Sequence, residues 1–75
     1  MTLIQAKTGQ SVRIMSFIGG VGLEHKFCQL CLVPGDYAKV LRHAPLGGPI
    51  LVEVDGRSIA LGRGVAARVI VEANG

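Results

Sequence analysis

Eleven glycines in 75 residues cut this chain into pieces long enough for strands and for one modest helix, and for little else. Glycine weakens the interior of any regular element and is at home in turns, so the chain between glycines is where structure forms. Ser11–Ile18, Tyr37–Arg42, Ile50–Val54, Arg57–Leu61 and Arg68–Glu72 are short, rich in β-branched residues and read as strands. One stretch has a different period. Leu23, Phe27 and Leu30 recur at i, i+4 and i+7, the stripe of an amphipathic helix, with Glu24 suiting the dipole near its start. Val33-Pro34-Gly35 ends it, because proline cannot continue a helix and glycine serves the turn. Asp55-Gly56 predicts a two-residue type I′ hairpin turn, and Gly62-Arg63-Gly64 opens a turn or single helical turn through Ala67. Five short strands and one helix cannot build two full sheets. The expected fold is mainly β: a small five-stranded barrel with one inserted α-helix capping an open end through Leu23, Phe27 and Leu30. Closure would hide the strand edges, and Gly35, Gly56 and Gly62 would supply the sharp bends.

The chain is short enough to be a single domain over residues 1–75, burying only about 60–65% of its unfolded surface. Its 49% hydrophobic content argues against disorder, although Phe17, Phe27 and Tyr37 are the only aromatics. No apolar run approaches the roughly 18–20 residues that cross a bilayer. Met1–Lys7 lacks the pattern of a secretory signal, which predicts a cytoplasmic protein with reduced cysteines. The net charge of +3 comes from eight basic residues scattered between Lys7 and Arg68. With no basic stripe and few aromatics for base stacking, the expectation is no nucleic-acid partner; an RNA-binding small β-barrel is the alternative that the charge permits.

His43-Ala44-Pro45-Leu46-Gly47-Gly48-Pro49 joins two of the expected strands. Its prolines fix φ and remove donors, its glycines open conformations closed to other residues, and an apolar Leu46 stands where a polar turn residue is the default. Such a loop holds one shape and offers a contact point, which makes Pro45, Leu46, Gly47, Gly48 and Pro49 the candidate partner-binding residues. His43 is expected to be an exposed spacer.

The order of these parts is specific even though each is common. Gly19-Gly20-x-Gly22-Leu23 is followed by Leu30-x-Leu32-Val33-Pro34-Gly35, then Ala44-Pro45-Leu46-Gly47-Gly48-Pro49-Ile50, Ile59-Ala60-Leu61 and Ala66-x-x-Val69-x-Val71. Over nearly its whole length the chain resembles the ferrous-iron transport protein A (FeoA) family. The resemblance implies an SH3-like barrel, and a cytosolic accessory role beside a membrane ferrous-iron transporter that carries a cytoplasmic GTP-binding domain. The docking surface expected there combines the Leu46 loop with His25 and Lys26 on the helix, and a homo-oligomer is also open. The family pattern has glycine where this chain has Cys31, and an apolar residue where it has Cys28.

Those two departures create His25-x-x-Cys28-x-x-Cys31. On a helix these positions spread over about 120°, and imidazole and thiolate suit zinc or ferrous iron. His25, Cys28 and Cys31 are therefore a candidate metal set, and a small metal-sensing module is a further alternative, although no cofactor is required. The bland account is that Cys28 replaces leucine as a small hydrophobe and His25 is solvated. No catalytic set is visible. Gly19–Gly22 precedes a helix without the Lys and Ser/Thr of a phosphate-binding loop, and Arg63 reads as a turn arginine.

Overall fold

The computed structural model describes residues 1–19, 21–30 and 32–74, with Val21, Leu23 and Glu24 described by backbone alone. In chain order it contains β1 (Ser11–Phe17), α1 (Val21–Gln29), β2 (Tyr37–His43), β3 (Ile50–Val54), β4 (Arg57–Leu61), α2 (Arg63–Ala66) and β5 (Val69–Ala73). All five expected strands are present, and α2 is the single helical turn expected after Gly62. The strands form one antiparallel sheet in the order β4-β3-β2-β1-β5.

Strand alternation sorts the side chains. Val12 and Ile14, Ala38 and Val40, Ile50, Val52 and Val54, Leu61, Val69 and Val71 all turn inward and are buried. Register shifts between Ile14 and Ser16, and between Val40 and Arg42, bend β1 and β2, as bulges do. The bent sheet wraps this core. Leu3 and Ala6 join it from an N-terminal 3-10 turn (Leu3–Gln5) that has no counterpart in the sequence expectations. Met1 and Thr2 run beside β5, where the Val71 N–H donates to the Met1 carbonyl at 2.8 Å. Among the described residues no ladder joins β4 to β5. The chain between them folds as α2, whose Ala66 is buried, so closure comes from packing and from the N-terminal strap rather than from a continuous ladder.

Helix α1 begins two residues before the expected Leu23. Phe27 is fully buried and stacks on Phe17 with ring centroids 4.1 Å apart and 9° between planes. Leu30 packs half-buried against the core, as the apolar stripe required, while the Leu23 side chain lies outside the described residues. The helix stops with the Leu32 N–H donating to the Phe27 carbonyl at 2.9 Å. Pro34 and Gly35 (φ +98°) then form the centre of a turn closed by the Asp36 N–H on the Val33 carbonyl at 3.1 Å. Gly35 and Gly56 (φ +77°) are thus bends of the expected kind. Gly62 is not: its φ of −60° is open to any residue, because it merely leads into α2.

Candidate functional site

The β2–β3 loop is a second tight turn built on top of a hairpin. His43 pairs with Ile50 at the end of the ladder, the Ala44 N–H donates to the Pro49 carbonyl at 3.0 Å, and the Gly48 N–H donates to the Pro45 carbonyl at 3.1 Å. Leu46 and Gly47 are the two central residues, at φ +59° and +74°. Positive φ at both positions is the type I′ pattern, which normally selects Asn, Asp or Gly. Leucine there carries backbone strain of about 1–2 kcal/mol. It gains no packing in return, for Leu46 is 104% exposed, more than any other large hydrophobic residue among those whose side chains are described.

The loop's neighbours hold it in place. A Cβ on Gly48 would lie 2.8 Å from the Ala44 Cβ and 3.1 Å from the Pro45 carbonyl oxygen, so only glycine fits without a shift. A Cβ on Gly47 would lie 3.9 Å from Cδ of Arg63, which brings α2 against the turn. His43 is not the exposed spacer expected of it. It is half-buried, and its Nε2–H donates to the Ala6 carbonyl at 2.7 Å, tying the base of the loop to the N-terminal turn. A histidine at the end of a strand gives no hint of a partner 37 residues away. The approach of Arg63 to Gly47 was legible in principle: pairing β3 with β4 through Asp55-Gly56 sets Ile50 opposite Leu61, so the flanking segments must meet.

The remaining described candidates lie on α1. His25, Lys26 and Cys28 are all exposed. The Gln29 side-chain amide lies 3.3 Å from His25 Nε2, and Cys28 lines an open cleft of about 280 Å³ with Phe17, Leu32, Val33 and Pro34. Among the described residues no hydrogen bond or ion pair links that helix face to the loop. Among the described residues, too, no three His, Cys, Asp or Glu side chains converge as a metal site would require. Cys31, the third member of the candidate metal set, lies outside the described residues.

Comparisons with known proteins place this architecture. A family model described as the FeoA domain matches residues 1–73. A Methanocaldococcus jannaschii protein described as a candidate Fe(2+) transport protein A is 31% identical over 67 residues, 89% of this chain and 79% of that protein. The crystal structure of an iron uptake regulatory protein (FeoA) superposes with a TM-score of 0.88 at 30% identity, covering 99% of this chain and 96% of that one. A manganese-dependent transcriptional repressor, at 17% identity and a TM-score of 0.89 over 99% of this chain and 41% of its own, shares the fold alone. Family match, curated relative and superposition agree over the stretch that carries both the sheet and the Leu46 turn, and this chain belongs to the FeoA domain family.

Proposed function

We propose that this chain is a cytoplasmic, non-enzymatic accessory protein of ferrous-iron uptake. It docks on the cytoplasmic GTP-binding region of a membrane ferrous-iron transporter and modulates that partner by biasing its conformations. Family membership and the relatives' names supply the iron-transport setting, and no helix among the described residues is long and apolar enough to cross a membrane.

The observation that carries the reading is Leu46. A residue held in a strained conformation, fully exposed, on a loop fastened by its own hydrogen bonds and by Gly48, does nothing for the fold that asparagine would not do better. Burying a leucine is worth about 1.5–3 kcal/mol, a factor of about 10–150 in Kd. That is enough for one side chain to decide whether a small module stays bound. Pro45 and Pro49 flank it and limit the entropy lost on docking, and His25 and Lys26 on α1 offer a second contact. The test is Leu46→Asp. It should keep a native far-ultraviolet spectrum and unfolding midpoint while losing co-purification with the transporter; undiminished co-purification would remove the loop from the interface.

A further inference from the structure

Charge is distributed unevenly along the β2–β3 hairpin, and the docking loop stands at one extreme. Arg42 lies opposite Leu51, one rung from the loop. Arg63 reaches Gly47 from α2. Lys7 follows Ala6, whose carbonyl accepts the His43 bond, and precedes Gly9, whose N–H donates to the Val40 carbonyl at 2.6 Å. All three are exposed, and among the described residues none has a carboxylate within ion-pair distance. The four carboxylates whose side chains are described sit on the other half of the sheet. Asp36 and Asp55 flank the rung Ala38–Val54, Glu53 faces Lys39, and Glu72 pairs with Arg13 at 3.7 Å.

We infer that the partner surface receiving Leu46 is an apolar socket rimmed with carboxylates. This rests on the docking reading and adds the chemistry of the other side. Exposed, unpaired Lys7 and Arg42 at the base of the loop and Arg63 beside Gly47, below an apolar tip, complement such a socket in both parts: the leucine supplies affinity, and the cations supply orientation and steering of the encounter. An anionic bilayer would also attract the cations. It is the weaker match, because a fluid interior needs no tip fixed by a strained turn and one leucine inserts little area into it.

The experiment measures association of the full chain with the detergent-solubilised transporter between about 50 and about 300 mM salt, over which screening shortens to a few ångströms. Arg63→Glu should slow association by at least about fivefold, whereas Arg57→Glu, the same change in net charge at the far end of β4, should stay within about twofold. The wild-type rate should fall steeply with salt, and that dependence should flatten in Arg63→Glu. If Leu46→Asp destroys binding while Arg63→Glu and salt leave the rate unmoved, the carboxylate-rimmed socket is wrong and the docking reading stands. If Leu46→Asp binds as well as wild type, the loop is not part of the interface, and this inference falls with it. Equally tight binding to vesicles of phosphatidylglycerol and phosphatidylcholine, abolished by Leu46→Asp, would overturn the socket in favour of lipid.

Discussion

Strand β3 is bounded by two turns with the same backbone and opposite chemistry. At its far end Asp55 and Gly56 take φ +52° and +77°; at its near end Leu46 and Gly47 take +59° and +74°. Both satisfy the demand that a right-twisted hairpin makes on a two-residue turn. Aspartate tolerates the left-handed region because its short side chain can bond locally, and it is the residue a folding argument would choose. Leucine has no such compensation. The surroundings differ as well: a Cβ on Gly56 would meet open space, whereas Gly48, beside the Leu46 turn, is hemmed in by Ala44 and Pro45. One turn has room for a side chain at its glycine. The other is followed by a glycine that admits no Cβ without a shift, and it aims an apolar side chain into solvent. The difference separates what a hairpin needs from what something outside the hairpin needs.

The largest effect should come from the packed position. Gly48→Ala pushes a methyl to 2.8 Å from the Ala44 Cβ and should cost about 1–3 kcal/mol in chemical denaturation. Ala44→Gly in the same chain should recover part of that loss; if the single variant unfolds like wild type, the loop is softer than its hydrogen bonds indicate. Gly56→Ala, with room for its methyl but a positive φ, should cost only about 1–2 kcal/mol. Alanine ordinarily gains about 0.4–1 kcal/mol over glycine through the unfolded chain, so the observed sign is itself informative. A cost at Gly48 no larger than that at Gly56 would erase the distinction between a packed and an open turn.

What was legible in the sequence divides along the same line. Short-range signals carried the architecture: alternation gave the five strands, Asp55-Gly56 gave the hairpin, and the Leu23–Phe27–Leu30 period gave α1. Signals that depend on chain segments meeting at a distance were not legible. Nothing local shows that His43 bonds Ala6, that Met1–Thr2 runs along β5, or that Leu3 fills the core, because a three-residue 3-10 turn has no period to detect. The Leu46 loop sits between the two. Its composition marked it as stiff and apolar. That leucine occupies a left-handed position, braced by a glycine that admits no Cβ, is a property of the assembled hairpin.

The smallest expected change in stability is the most discriminating. Leu46→Asn should stabilise the protein by up to about 1 kcal/mol, since asparagine accepts positive φ at less cost. Asp55→Leu should destabilise it by a similar amount for the converse reason. The two turns lie at opposite ends of β3 and share no contact partner in the hydrogen-bond pattern, so the effects should add, leaving the double variant within about 0.5 kcal/mol of wild type. Such a protein would have the native fold and the native stability with its strained leucine moved to the opposite end of β3, away from Arg42 and Arg63. If the leucine matters only as exposed apolar surface, the double variant should still pull down the transporter. If it matters as a tip presented by a braced, cation-flanked loop, binding should be lost as completely as in Leu46→Asp, and no difference in folding would be available to explain it.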